Sequence, residues 1–196
     1  MIDVSRETRE RLGIFVDLLS AWTQKINLIA PSTRKEIWER HIEDSLQIYP
    51  LAPQGWRTWV DLGSGGGLPG IIVAILAADD DREITLVESD ARKCAFLRTA
   101  LRETGARAKI LNARAEEVPP VNADVVSARA LAPLPKLLGY AERHVAPNGI
   151  GLFQKGKNAS AEIEEALERW RFACEKHPSK TDADGVILRI GDLKRA

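Results

Sequence analysis

The sequence has few cysteines and no spacing that would put them to use. Only Cys94 and Cys174 occur among the 196 residues, and they do not form a Cys-x-x-Cys pair. A disulfide framework and a thiolate metal site are therefore not expected. Because Cys94 falls on the apolar face of a predicted helix, we expect it to fill space in the core.

Long hydrophobic runs and an excess of either charge are also absent. No apolar stretch approaches the roughly 20 residues that span a bilayer, and the opening Met-Ile-Asp-Val-Ser-Arg-Glu is too polar for a signal peptide. We therefore expect a cytoplasmic protein with no membrane partner. The 28 basic and 28 acidic residues balance to a net charge of zero, so the basic footprint typical of many nucleic-acid binders is missing. Any nucleic-acid surface must be a local patch formed in three dimensions.

The first 55 residues have a helical pattern. Apolar residues recur at three- and four-residue spacing over 4–26, which predicts an amphipathic helix. Thr33 followed by Glu36 has the spacing of a capping box and predicts the start of a second helix. We therefore expect an N-terminal helical extension over residues 1–55.

From residue 56 onward, short apolar strands alternate with helices. Asp90 and Gly105 have the residue types that begin and end one of these helices. Two weaker strand patterns, 171–177 and 186–190, are expected to close the sheet as a hairpin. This alternation predicts one Rossmann-like α/β domain over residues 56–196, with a mostly parallel seven-stranded sheet and helices on both faces.

The glycine-rich loop over residues 61–70, Asp-Leu-Gly-Ser-Gly-Gly-Gly-Leu-Pro-Gly, is the segment most informative about function. It follows a predicted strand and precedes a predicted helix, where such sheets bind their ligands. The register Gly65-x-Gly67-x-x-Gly70 matches the dinucleotide fingerprint, which is a weak signal alone. The register Asp61-x-Gly63-x-Gly65-x-Gly67 resembles the first motif of methyltransferases that use S-adenosylmethionine. A carboxylate at Asp61 suits a cationic sulfonium donor and favours that donor over NAD.

Two further loops at the same edge of the sheet supply candidate ligand contacts. Glu88 ends the second strand, where a carboxylate can accept hydrogen bonds from both ribose hydroxyls. Its position suits NAD and S-adenosylmethionine equally. Residues 112–117 follow the third strand, where such folds usually contact adenine, although a plain polar loop fits the composition as well.

Four segments of the chain carry a more specific resemblance. They are residues 37–46 (Ile-Trp-Glu-Arg-His-Ile-Glu-Asp-Ser-Leu), 61–70, 126–134 (Val-Ser-Ala-Arg-Ala-Leu-Ala-Pro-Leu) and 153–156 (Phe-Gln-Lys-Gly). Together they resemble the ribosomal small-subunit methyltransferase G family, also called glucose-inhibited division protein B. The resemblance spans nearly the whole chain. It is weak after residue 171, and residues 63–67 read Gly-Ser-Gly-Gly-Gly where many relatives have Thr and Pro among the glycines.

The resemblance implies an S-adenosylmethionine-dependent methyltransferase fold and an enzyme similar to those that methylate guanine N7 in 16S ribosomal RNA. The methyl donor would be S-adenosyl-L-methionine, the product S-adenosyl-L-homocysteine, and no metal would be needed. The partner would be 16S RNA, free or within the small subunit, and we expect a monomer. By family position, the cofactor contacts would include Gly63, Leu68, Ala115, Glu116 and Arg129. With the residues argued above, the predicted cofactor site is Asp61, Gly63, Gly65, Leu68, Glu88, Ala115, Glu116 and Arg129.

The chemistry of this reaction needs little from side chains. Guanine N7 has a free lone pair, so no general base is required. The enzyme must hold N7, methyl and sulfur nearly collinear, and such proximity contributes roughly 7–11 kcal/mol. We therefore expect no acid–base residue, and we expect Arg129 and Lys155 to orient the substrate. An alternative role for Arg129, binding the carboxylate of the cofactor's amino-acid tail, stays open.

Candidates for RNA contact are His41, Lys155 and Lys157. Lysines commonly meet phosphates, and a solvated lysine is the plain alternative. His41 lies three residues before Asp44 on one predicted helical face. We expect those two side chains to pair and brace the N-terminal helices against the glycine loop, close to the active site by family position.

Two other functions compete with RNA methylation on the residues alone. One is a nicotinamide oxidoreductase that uses the dinucleotide register of the glycine loop, although no proton donor for its substrate stands out. The other is a non-catalytic nucleotide-binding or RNA-binding module. Ligand preference separates the oxidoreductase from the methyltransferase, and ligand binding without methyl transfer would indicate the binding module.

Overall fold

Seven strands form a single sheet in the computed structural model, which describes residues 4–196. The strands are β1 (Thr58–Leu62), β2 (Glu83–Val87), β3 (Lys109–Leu111), β4 (Ala123–Arg129), β5 (Val145–Lys155), β6 (Trp170–Pro178) and β7 (Val186–Arg195). Their order is β3-β2-β1-β4-β5-β7-β6. Only β7 runs antiparallel to both of its neighbours. The predicted mostly parallel sheet, closed by a C-terminal hairpin, is confirmed.

Six α-helices accompany the sheet in the described part of the chain. They are α1 (Arg6–Thr23), α2 (Asp44–Leu46), α3 (Gly70–Leu76), α4 (Ala91–Thr104), α5 (Leu134–His144) and α6 (Ala159–Leu167). Helix α4 shows how local sequence sets helix ends. The Asp90 carboxylate accepts hydrogen bonds from the Arg92 and Lys93 amides, and Gly105 ends the helix at φ 67°, as predicted. Among residues 4–196, no helix combines the length and apolarity that crossing a bilayer requires.

The predicted second helix is replaced by shorter turns. A 3-10 helix over Pro31–Glu36 is followed by a π-helical turn over Trp38–Glu43 that runs into α2. Thr33 does not cap a helix, so the capping-box prediction is wrong. Its hydroxyl instead donates to the Ala30 carbonyl at 2.9 Å and lies 2.7 Å from His41 Nε2. The Thr33 side-chain oxygen therefore contacts the His41 ring, whereas the local pattern predicted that it would cap a helix.

Two apolar cores cover the two faces of the sheet. On one face, Leu12 and Phe15 of α1 are fully buried with Phe96 of α4. The N-terminal extension therefore packs on the α/β domain, although its residues 1–3 lie outside the described residues. On the other face, Leu138 of α5 and Ala166 of α6 are fully buried.

Cys94 lies in the interior, as its position on the apolar face of α4 predicted. It is fully buried, and its thiol donates to the Glu88 carbonyl at 3.2 Å. Burial raises the pKa of this thiol. Cys94 therefore fills core space and ties α4 to the end of β2.

Candidate active site

Two adjoining cavities open at the carboxyl edge of the sheet. The smaller cavity, about 320 Å³, lies among the glycine loop and the segments that follow β2, β3 and β4. The larger cavity, about 530 Å³, lies among the ends of β4 and β5, Asp44 and the turn between β6 and β7. Both volumes lie in the range of small-molecule sites. Residues 130–132 line both cavities; we call residues 130–133 the dividing loop.

The glycine loop presents bare backbone to the smaller cavity. Gly63 and Gly65 line it, and both have positive φ, 67° and 54°. A Cβ on Gly63 would lie 2.6 Å from Leu131 Cδ1 of the dividing loop. A side chain at this position would therefore be strained and would crowd the cavity entrance.

The structure also separates the two glycine registers. A Cβ on Gly67 or Gly70 would meet core side chains of Ile71 or Leu86 instead of the cavity. Neither glycine lines the smaller cavity among the described residues. Because the dinucleotide fingerprint needs its second glycine against the ligand, the geometry favours the register that begins at Asp61.

Two predicted cofactor contacts lie behind the cavity wall. Leu68 is 8% exposed and packs in the core. Asp61 is 1% exposed; its carboxylate accepts hydrogen bonds from the Ser127 hydroxyl at 2.7 Å and the Gly70 amide at 3.2 Å. Burial raises the pKa of Asp61 to about 6. Asp61 thus joins the glycine loop to β4, and neither it nor Leu68 lines the cavity. Direct contact of either residue with the cofactor stays a prediction.

Glu88 occupies the predicted place at the end of β2 and lines the smaller cavity. Its Oε2 accepts the Gly65 amide at 2.8 Å, and its Oε1 accepts the Asp90 amide at 2.7 Å. Each carboxylate oxygen can accept a second hydrogen bond. Glu88 therefore shapes the glycine loop and keeps acceptor capacity for two hydroxyl donors.

The loop after β3 forms another wall of the smaller cavity. Ala115 and Glu116 line it, as expected from the family position. Ala115 is held from behind because its carbonyl lies 2.8 Å from Nε2 of the fully buried His144. A carbonyl only accepts, so His144 carries its proton on Nε2. No motif or spacing in the sequence singles out His144.

Arg129, the last residue of β4, lines the larger cavity and not the smaller one. Its Nη2 donates to the Arg40 carbonyl at 3.1 Å and contacts His41 Nδ1 at 2.9 Å. Its Nη1 lies 3.5 Å from an Asp44 carboxylate oxygen. His41 and Asp44 thus both face Arg129, whereas sequence reasoning paired them with each other.

These contacts fix the state of the His41 ring. Arg129 can only donate, so Nδ1 is the acceptor and Nε2 carries the proton toward Thr33. Burial, with the Arg129 and Arg40 charges, lowers the pKa of His41 to about 4. The ring is therefore neutral near pH 7. It is 6% exposed, which argues against the predicted contact with RNA.

The turn between β6 and β7 completes the larger cavity, although sequence reasoning assigned no site to it. Asp44 accepts hydrogen bonds from Ser179 and Thr181 of this turn at 3.3 and 3.1 Å. Asp44 Oδ2 also accepts from Gln154 Nε2. Arg40 donates to Asp182 at 2.9 Å. These partners are over 100 residues apart in sequence, so no local pattern announces them.

Lys155 and Lys157 have different surroundings. Lys155 Nζ lies 2.7 Å from Glu162 Oε2 and donates to the Ala132 carbonyl at 2.7 Å. Its side chain is 9% exposed and held by these two partners, and its contact with an RNA phosphate stays a prediction. Lys157 is exposed and remains a candidate for RNA contact.

Basic residues that sequence reasoning missed line the smaller cavity. They are Lys93, Arg114 and Lys136. They belong to three different elements, which explains why no charged stripe appears in the sequence. We call these three residues the cationic patch; Glu88 and Glu116 line the same cavity, and the whole chain has no net charge. Among residues 4–196, no three His, Cys, Asp or Glu side chains lie close enough to hold a metal ion.

Comparison with solved structures gives the fold. A SAM-dependent methyltransferase from Aquifex aeolicus aligns with a TM-score of 0.63 at 13% identity, over 87% of this chain and 97% of that chain. A ribosomal protein L11 methylase from Lactobacillus delbrueckii aligns with a TM-score of 0.62 at 15% identity, over 80% and 78% of the two chains. The chain therefore has the fold of these methyltransferases.

Comparison with known sequences gives the family. The family model described as rRNA small subunit methyltransferase G matches residues 8–185. The ribosomal RNA small subunit methyltransferase G of Ruegeria sp. is 53% identical over 99% of this chain and 95% of that protein. The protein of the same name from Paracoccus denitrificans is 50% identical over the full length of both. The chain belongs to the ribosomal RNA small subunit methyltransferase G family.

Proposed function

We propose that this protein transfers a methyl group from S-adenosyl-L-methionine to N7 of a guanine in 16S ribosomal RNA, in the cytoplasm and as a monomer. The observation that carries the proposal is the pair of adjoining cavities, which share only the dividing loop, in a member of this family. One cavity suits a nucleoside cofactor, and the other suits a base. Direct transfer of one carbon requires that the two cavities meet at the edge of this loop, so that the N7–carbon bond can form as the sulfur–carbon bond breaks.

The smaller cavity has the groups that the cofactor needs. Gly63 and Gly65 have no side chains, which leaves space beside the backbone for the amino-acid tail of the cofactor. Glu88 can accept hydrogen bonds from the two ribose hydroxyls. Ala115 and Glu116 border the space for adenine. When bound, the cofactor supplies an activated methyl group on a positively charged sulfur. Asp61 acts on it through the shape of the glycine loop, since its carboxylate is enclosed.

The larger cavity is assigned to guanine because of two wall residues on neighbouring strands. Arg129 and Gln154 lie side by side in the β4–β5 register. Arg129 Nη1 lies 3.5 Å from Asp44 Oδ2, and among the described residues neither this atom nor the buried Gln154 Oε1 has a hydrogen-bond partner. Gln154 Nε2 faces two Asp44 oxygens, which fixes the amide orientation. A donor beside an acceptor complements guanine O6 beside N1–H and leaves N7 free.

The RNA backbone is assigned to the cationic patch of Lys93, Arg114 and Lys136, together with Lys157. Phosphate contacts fix register and orientation without reading sequence. The patch surrounds the smaller cavity, so RNA bound there covers the cofactor while its base enters the neighbouring cavity. Binding should weaken as salt rises, as expected when lysine and arginine neutralise phosphates.

The test uses a radiolabelled methyl donor with intact small subunits, stripped 16S RNA and large-subunit RNA, followed by mapping of the modified base. We expect label in 16S RNA as N7-methylguanine. Label in protein, in a small molecule or at another base position would refute the substrate assignment. A thermal shift with S-adenosylhomocysteine, and none with NAD, is expected alongside; ligand binding without any transfer would indicate a non-catalytic module.

A further inference from the structure

We propose that Glu162 is a positioning residue for methyl transfer, acting with Lys155 to fix the dividing loop between cofactor and base. The inference rests on the proposed function, because it concerns how the wall between the two cavities is held. Glu162 lies on α6 and lines the larger cavity. No motif or spacing in the sequence singles it out.

The dividing loop contains a strained residue. Ala130 has φ 52°, a left-handed conformation that residues other than glycine, asparagine and aspartate rarely adopt. Ala130 also lines both cavities. Strain of this kind persists only where the surrounding structure over-determines the backbone, and it is concentrated at functional sites. The contacts that hold residues 130–133 therefore matter to the site.

Glu162 and Lys155 supply those contacts at the far end of the loop. Glu162 Oε2 accepts the Leu134 amide at 2.7 Å and lies 2.7 Å from Lys155 Nζ. Lys155 Nζ donates in turn to the Ala132 carbonyl at 2.7 Å. The side chains of Lys155 and Glu162 are 9% and 22% exposed, so this charge-assisted pair is only weakly screened by solvent. One carboxylate thus anchors both the loop and the start of α5.

The near end of the loop is held separately. Arg129 precedes the loop and is bound by His41 and the Arg40 carbonyl. With Arg129 fixed on one side and Ala132 and Leu134 on the other, little freedom is left to residues 130 and 131. These two residues would therefore stand at a set distance from the sulfur and from the base. Loosening one anchor should misplace the reacting groups without removing either binding site.

The experiment compares Glu162→Gln with Glu165→Gln, a matched control that is exposed on the same helix. The glutamine side chain introduced by Glu162→Gln would still accept the Leu134 amide but would lose the ionic attraction to Lys155. We expect the kcat of this variant for methyl transfer to 16S RNA to fall at least tenfold, since misplacement by about 1 Å can cost 10²-fold. The Kd for S-adenosylhomocysteine should change less than about threefold. The control should match the wild-type protein in both.

A merely structural role would lower the melting temperature while leaving kcat per folded molecule unchanged, and that outcome would overturn the proposal. So would a Glu162→Gln variant equal to the control. A wild-type protein that transfers no methyl group to 16S RNA would refute the proposed function itself, which separates the two failures.

A second variant tests whether the pair acts as a unit. Lys155→Met removes the Nζ contacts with Glu162 and with the Ala132 carbonyl. The kcat of the double variant, Glu162→Gln with Lys155→Met, should be no lower than that of the more impaired single variant. The salt dependence of RNA binding should be the same as in the wild-type protein. Lys155→Met could instead lower the slope of RNA affinity against salt concentration by about one, both alone and combined with Glu162→Gln. In that case Lys155 binds phosphate directly and the pairing proposal is wrong.

Discussion

Replacing Glu88 by Gln tests the cofactor assignment in the smaller cavity. Both Glu88 oxygens accept backbone amides, from Gly65 and Asp90, and each has room for one more donor. The amide of Gln keeps one acceptor oxygen and replaces the other with a donor. One ribose hydrogen bond to a charged group is therefore lost, which contributes about 1.5–3 kcal/mol.

Since 1.4 kcal/mol corresponds to tenfold in affinity, the Kd for S-adenosylhomocysteine should rise roughly 10- to 150-fold in isothermal calorimetry. One backbone amide also loses its acceptor, at a cost of about 1–3 kcal/mol in stability. The melting temperature without ligand should fall by roughly 2–12 °C. Glu83→Gln is the matched control, because Glu83 is exposed at the opposite end of the same strand. A Glu88→Gln variant that binds within threefold of the wild-type protein would refute the ribose assignment.

Three further predictions follow from the site. The pKa of Asp61 is raised from an ordinary 3.8 to about 6, so between pH 4 and 6 the folded state binds more protons than the unfolded state. The unfolding free energy therefore falls as pH rises through that window. Asp61→Asn should remove this component, about 3 kcal/mol, in urea titrations at pH 4 and pH 7, and an unchanged pH profile would contradict the burial argument. The pKa of His41 is lowered to about 4, so the contribution of this ring to the unfolding free energy is present above pH 6.5 and is lost as pH falls toward 4. Nitrogen NMR should show a neutral ring protonated at Nε2 at pH 5. Titration of the ring near pH 6.5 would contradict this. Gly63→Val places a branched side chain at positive φ against Leu131 and should weaken S-adenosylhomocysteine binding at least tenfold. Unchanged binding would refute the assignment of the cofactor to this loop.

The sheet and the smaller cavity followed from local patterns in the sequence. Strand–helix alternation predicted the seven-stranded sheet, and Asp90 and Gly105 marked the ends of α4. Gly63, Gly65 and Glu88 line one cavity because the carboxyl ends of neighbouring parallel strands meet at one edge. Such features depend on period and turn chemistry, which a single sequence displays.

The larger cavity did not follow from the sequence, because its contacts are tertiary. Arg129 meets His41 across 88 residues, and Asp44 meets Thr181 across 137. The π-helical turn that places His41 and Asp44 against Arg129 departs from the regular helix that the pattern suggested. The Lys155–Glu162 ion pair is likewise a contact between two elements that no local pattern connects. Side chains that look like surface groups in the sequence become internal when a distant element covers them.

The central claim is that the cofactor and the guanine occupy the two cavities on either side of the dividing loop. A crystal structure with S-adenosylhomocysteine tests it most directly. We expect the ribose hydroxyls on Glu88, the sulfur facing the dividing loop, and the larger cavity left open beside Arg129. A cofactor found in the larger cavity, or bound with its ribose away from Glu88, would contradict the account.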